Sequence, residues 1–168
     1  MKVRPATKDD LDDIMSCVKR IKKEYFEAKG IKQWLGDYPS KSDFTADIEA
    51  KRLFVMHIGE CLIGFSSVSF DEEPTYAVIE GEGWKKNDKY AVVHRFGINP
   101  DWQGMGFGTT LMGLADKLCE AHHVSDIRAD THEDNAGMRH LLEKCGFEYR
   151  GIIHLANGDP RMAFEKNM

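Results

Sequence analysis

A chain of 168 residues with 42% hydrophobic and 30% charged residues has the composition of one folded globular domain, not of a disordered or fibrous chain. A formal net charge of −5 and a pI near 5.8 argue against nucleic acid as the main partner, because phosphate contacts need a basic face. No apolar run has the length of a membrane span, and the start, MKVRPATKDDLDD, lacks the apolar stretch of a secretory signal, so the expected setting is the cytoplasm.

KVRPA reads as a short first strand. Thr7 and Asp10 stand in capping-box spacing, with Asp in place of Glu. Leu11, Ile14, Met15, Val18, Ile21 and Tyr25 follow at helical spacing. EAKGIKQWLGDYPS reads as an irregular helix-loop region, and SDFTADIEAK as a second helix. RLFVMHIG and CLIGFSSVSF are strands joined at Gly59–Glu60, a hairpin. Residues 71–88 are polar and turn-rich and read as a long loop. YAVVHRFGINP is apolar on both sides of His94–Arg95, the mark of a central strand buried on both faces. A helix then carries Leu111, Leu114, Ala115, Leu118 and Cys119 on one face. SDIRADTH is a strand, NAGMRHLLEKCGF a helix with Met138, Leu141, Leu142 and Cys145 inward, and two last strands flank Asn157–Gly158. The four cysteines, Cys17, Cys61, Cys119 and Cys145, form no close pair, so zinc is not indicated and reduced thiols are expected, with Cys119 and Cys145, on apolar helical stripes, packed as small hydrophobes. Helices first, then an antiparallel meander, then strand-helix-strand-helix-strand predict an α/β (α+β) fold: a mixed sheet with helices on both faces and parallel neighbours at the crossovers.

The stretch QGMGFG, Gln103–Gly108, sits between the central strand and a helix. Such a loop presents free backbone N–H groups at the positive end of a helix dipole and suits a phosphate. A dinucleotide-binding loop would need a third glycine where Thr109 stands; Asp130 does fall at the distance of the expected acid, but the chain is short for two nucleotide-binding halves. A P-loop would need a lysine that the loop lacks. Glycines that merely allow tight packing are the bland alternative.

Gln103-x-x-Gly106-x-Gly108 after a central strand, Asn135 opening the next helix and LLEKCGF closing it resemble the GNAT superfamily of N-acetyltransferases in order and spacing from Ala91 to Phe147. The resemblance implies a mostly antiparallel central sheet with a parallel, splayed pair in its middle. It implies acetyl-CoA as co-substrate, with its pyrophosphate on the backbone of Gln103, Gly104, Met105, Gly106, Phe107, Gly108 and Thr109. The pantetheine arm would lie along Phe96, Gly97 and Ile98, with Asn135 and Met138 beside it, and the thioester would sit where the strands splay. An amine would attack the thioester directly in a ternary complex, a backbone N–H near Phe96 or Ile98 steadying the oxyanion.

The attacking ammonium must first lose a proton. His94 on the central strand is the first candidate base, against a role as a satisfied core histidine; His132 is the second. Arg95 is expected on the opposite face, paired with a buried acid such as Asp130 or Glu80. DTHEDN clusters metal-ligand residue types, but the family needs no metal, and Asp134 is simply read as the cap of the last helix. Many family members carry a tyrosine that protonates the leaving thiolate; by spacing that position is Leu142. Tyr149, Tyr25 and Tyr38 are substitutes within reach, and a thiolate can also leave without an acid. The departure keeps a second reading open: a module that senses acyl-CoA and transfers nothing. Acceptor contacts are expected from Trp34, Tyr38, Glu80 and Trp84, since aromatics with a carboxylate suit a cation. The acceptor itself, a small-molecule amine or a peptide amino group, is not specified, and a homodimer is compatible with the sequence.

Overall fold

The structure, a computed structural model, describes residues 1–168. β1 (Lys2–Pro5) leads through a 3-10 turn at Lys8–Asp10 into α1 (Leu11–Arg20). The Asp10 carboxylate accepts from the Thr7 N–H at 2.8 Å and from both terminal nitrogens of Arg4 at 2.8 Å. The Arg4 guanidinium holds that carboxyl below its usual range. α1 runs on into a π-helical segment, Ile21–Glu27, which buries Ile21 and Phe26. α2 (Lys41–Glu49) starts at a reciprocal capping box: the Ser40 hydroxyl accepts from the Asp43 N–H at 3.2 Å, and the Asp43 carboxylate accepts from the Ser40 N–H at 2.8 Å.

β2 (Leu53–Ile58) and β3 (Cys61–Ser69) form the hairpin around Gly59–Glu60. After β4 (Ala91–Ile98) come a 3-10 turn at Pro100–Trp102, α3 (Phe107–His122), β5 (Asp126–Thr131), α4 (Ala136–Lys144), β6 (Glu148–His154) and β7 (Pro160–Asn167).

The chain forms two compact units, each built from two segments: residues 1–68 with 94–111, and residues 69–93 with 112–168. The first has strand order β1-β2-β3-β4, with antiparallel β1–β2 and β2–β3 pairs. Its core gathers Ile14, Val18, Ile21, Phe26, Phe44, Leu53, Val55 and Phe65. Burying each of the larger of these contributes about 1.5–3 kcal/mol. A second cluster, Met56, Ile63 and Leu111, packs against Phe96, Ile98, Trp102 and Phe107.

The second unit has strand order β4-β5-β7-β6. β4 and β5 are parallel, in register at Ala91↔Ile127 and Val92↔Arg128. The expected mixed sheet with a parallel pair is therefore present, and the pairing is short. The first crossover gives parallel neighbours as expected. The second does not, because β7 enters between β5 and β6 and pairs antiparallel with both. The segment expected to be a plain loop is more ordered: it holds a 3-10 turn at Pro74–Tyr76 and a bridge of Glu80 with Ile152. Tyr76 is buried there with Val92, Ile153 and Ala163. The cap of α4 is Asn135 rather than Asp134: its Oδ1 accepts from the Met138 N–H at 3.1 Å.

Candidate functional site

In the first unit, β4 ends in the turn Pro100–Trp102, and Gln103–Gly106 then enters α3. Asn99 shapes this corner, its Oδ1 accepting from the Asp101 N–H at 3.0 Å and its Nδ2 donating to the Leu62 carbonyl at 2.9 Å. Arg20 from α1 braces it through Asp101 at 2.8 Å and Asn99 at 3.2 Å. Gln103 donates its side-chain amide back to the Ile98 carbonyl at 3.3 Å. Gly104 and Gly106 have φ of 75° and 84°, and a Cβ built on either would meet no protein atom within 4 Å. These glycines are required by backbone conformation, not by protein packing. The loop is exposed from Gln103 to Gly106, while Phe107, Gly108 and Thr109 are half-buried in the first turn of α3. Thr110 N–H is bonded to the Gly106 carbonyl; the amides before it lie in the first turn, where an α-helix supplies no partner of its own. An exposed loop leading into the start of a 16-residue helix is suited to an anion.

Upstream on β4, Gly97 is buried and Phe96 and Ile98 are half-buried. A Cβ at Gly97 would lie 2.5 Å from Phe65 Cζ and 2.9 Å from Ile21 Cδ1, so only glycine fits between the strand and that ring. His94 is half-buried. Arg95 departs from the expectation in both respects. Its φ is +47°, so the strand does not alternate regularly there, and its partner is neither Asp130 nor Glu80. Arg95 Nη1 donates to Asp47 Oδ2 on α2, and its guanidinium lies 5.5 Å from the Tyr38 ring centre. Asp47 is fully buried and accepts from Arg52 Nε at 2.7 Å with its other oxygen. Trp34 (φ +55°) is half-buried, edge-on to Phe26 at 5.4 Å and stacked at 6.4 Å on Phe65. Tyr38 is 44% exposed.

The remaining predicted residues belong to the second unit. Asp130 accepts from the Tyr76 hydroxyl at 2.6 Å; burial and that carboxylate push the tyrosine well up. Trp84 donates its indole N–H to the Tyr76 carbonyl at 2.9 Å. Its ring is stacked on Arg128, which also lies 3.9 Å from the Tyr90 ring centre. Trp84 is thus engaged on both its ring and its N–H within the second unit. Glu80 is exposed, with its backbone bridged to Ile152 and its carboxylate 3.8 Å from His154 Nδ1. His132 Nδ1 accepts from the Asp134 N–H at 3.0 Å and lies 3.4 Å from the Asp134 carboxylate. Tyr149 is 46% exposed, edge-on to Phe164. Asn135 is buried with its side-chain oxygen on the cap, and Met138 is half-buried one turn on. Leu142 is 1% exposed, a core side chain. No group of three or more His, Cys, Asp or Glu side chains is placed to hold a metal ion, and no helix is long and apolar enough to cross a membrane.

Asp47 is the residue that sequence reasoning missed. Phe44, Asp47 and Ile48 share one helical stripe, and an acid on an apolar stripe marks a buried charge in need of partners.

Comparison with known proteins gives the family. The model of the acetyltransferase (GNAT) family matches residues 16–147. An uncharacterized N-acetyltransferase of Methanocaldococcus jannaschii is 22% identical over 158 residues, which is 90% of this chain. The match covers 62% of that relative, so the chain spans less than two thirds of its length. A crystal structure of a GNAT-family acetyltransferase from Streptococcus agalactiae superposes with a TM-score of 0.89 at 29% identity, over 99% of this chain and 95% of the other. The PaiA N-acetyltransferase of Thermoplasma acidophilum, solved in complex with coenzyme A, shares the fold with a TM-score of 0.74 at 16% identity, over 99% and 98%.

Proposed function

The chain belongs to the acetyltransferase (GNAT) family, and from that premise we propose that it transfers an acetyl group from acetyl-CoA to a primary amine. The observation that carries the reading is the exposed loop Gln103–Gly106, with two left-handed glycines feeding the first turn of α3. Its amides and the helix dipole bind the pyrophosphate of the coenzyme. The strand backbone at Phe96, Gly97 and Ile98 then aligns the acyl arm, and an N–H of that strand steadies the oxyanion. His94, on the same strand, takes the proton of the acceptor ammonium, directly or through a water. The amine nitrogen bonds to the carbonyl carbon, the C–S bond breaks, and the thiolate leaves; it is a fair leaving group because a thiol has a pKa of about 8.5. Trp34 and Tyr38, in the segment before α2, are the acceptor-facing aromatics of this reading, since aromatic faces suit a cation. The acceptor is a small-molecule amine or a peptide amino group.

Thiol release from acetyl-CoA across a library of primary amines tests the reading. Turnover with at least one amine supports it. A second reading is supported by Leu142, which is buried and holds no proton to donate: binding of acyl-CoA as a sensor, without transfer. Saturable binding of acetyl-CoA with silence across the whole library would favour that second reading.

A further inference from the structure

Arg95 is the one residue inside a strand, glycine excepted, that has φ in the left-handed region. The other three such residues, Trp34, Lys51 and His123, lie in loops and helix ends. A side chain disfavours that conformation, and it persists only where the surroundings over-determine it. Here the surroundings are specific. Asp47, with no exposed surface, faces Arg95 from α2 and is bonded by both Arg95 and Arg52. Asp43, one turn earlier on the same helix, lies 3.9 Å from the guanidinium. The Tyr38 ring covers the guanidinium. A carboxylate with no exposure is costly unless paired, so this pair has one favourable arrangement rather than many.

Resting on the acetyl-transfer reading above, we propose that Asp47 and Arg95 form a positioning pair: the ion pair holds residue 95 left-handed, and that kink sets the directions in which His94 and Phe96 leave β4. The guanidinium touches neither coenzyme nor acceptor in this account. Its task is to fix a backbone angle that a relaxed strand would abandon. Residues 94, 95 and 96 are half-buried, between the buried run 91–93 and the buried Gly97. A kink of this kind turns a peptide N–H out of the ladder. The helix that follows the Trp34–Tyr38 loop thereby governs the geometry of the strand carrying the proposed base.

Rescue by glycine separates this role from the others, because glycine adopts a positive φ without a lock. The variants are Asp47→Asn, Arg95→Ala and the double variant Asp47→Asn with Arg95→Gly, in which no unpaired buried acid remains. With acetyl-CoA and the amine panel, Asp47→Asn and Arg95→Ala are expected to lose about tenfold or more in kcat. The KM for acetyl-CoA and the calorimetric Kd for CoA should stay within about threefold, since the pyrophosphate loop is untouched. The double variant is expected to recover kcat to within about threefold of the parent. A double variant as slow as Arg95→Ala would overturn the proposal, because the guanidinium itself would then be needed. Full activity in Asp47→Asn, or a loss of CoA affinity parallel to the loss of kcat, would overturn it as well. Backbone 13C shifts of residue 95 decide the matter without any turnover. They should move from left-handed to extended values in Asp47→Asn, and unchanged shifts would refute the lock. Failure of the parent protein to bind CoA would sink the acetyl-transfer reading and leave this arm standing.

Discussion

Gly97→Ala probes how the strand proposed to hold the acyl arm is seated. The new methyl carbon would be 2.5 Å from Phe65 Cζ, 2.9 Å from Ile21 Cδ1 and 3.0 Å from Phe65 Cε1. Phe65 cannot easily retreat, for it has no exposed surface and is held edge-on by Phe44 at 5.4 Å and stacked by Trp34 at 6.4 Å. Overpacking a fixed core costs about 1–3 kcal/mol, and the pinned ring puts this case at about 2–3 kcal/mol. For a protein of this size that is a fall of roughly 5–10 °C in Tm. The assay is equilibrium denaturation of a double-mutant cycle with Phe65→Leu. Shortening residue 65 removes Cζ, so Gly97→Ala should cost under about 1 kcal/mol in that background, a coupling of about 1–2 kcal/mol. An alanine variant within about 0.5 kcal/mol of the parent, or an equal cost in both backgrounds, would refute the packing argument.

Gly106→Glu should abolish CoA binding by placing a carboxylate among amides meant for phosphate, with only the strain of a left-handed side chain, about 1–2 kcal/mol, lost in stability; calorimetry with CoA beside a thermal melt reads both. His94→Ala should flatten the neutral-pH limb of the rate profile; an unchanged limb places the base elsewhere. Stability should also depend on pH through Asp126. Burial, with Glu165 beside it, pushes its carboxyl up to about 7. The folded state thus keeps a proton there that the unfolded chain releases near 3.9. That stabilisation is complete below the unfolded value and is lost as pH rises through about 7, with a limiting slope of about 1.4 kcal/mol per pH unit. Urea melts between about pH 5 and 8 should show the decline, and Asp126→Asn should remove it; equal slopes in the two proteins would contradict the assignment.

What was legible in the sequence was what backbone chemistry writes into residue type. Gly104 and Gly106 mark the loop before α3, and the capping pair Thr7–Asp10 marks a helix start. Periodicity found the core stripes of α1 and α3. The kink at Arg95 was hidden because an arginine does not advertise a left-handed conformation, and its partner Asp47 lies 48 residues away. The Trp84–Arg128–Tyr90 stack was hidden for the same reason: aromatics with a cation read equally well as a ligand site or as a self-satisfied core. Local pattern also carried no sign that β7 would enter between β5 and β6, since strand order is set by which faces can be buried together. The cap of α4 was misplaced by one residue between two side chains, Asp134 and Asn135, that both cap well.

Titration calorimetry of the protein with acetyl-CoA asks only whether the loop before α3 holds the donor. Saturable binding that disappears in Gly106→Glu, with the variant still folded, is expected. No binding heat at about millimolar acetyl-CoA, or equal affinity in the parent and in Gly106→Glu, would contradict it.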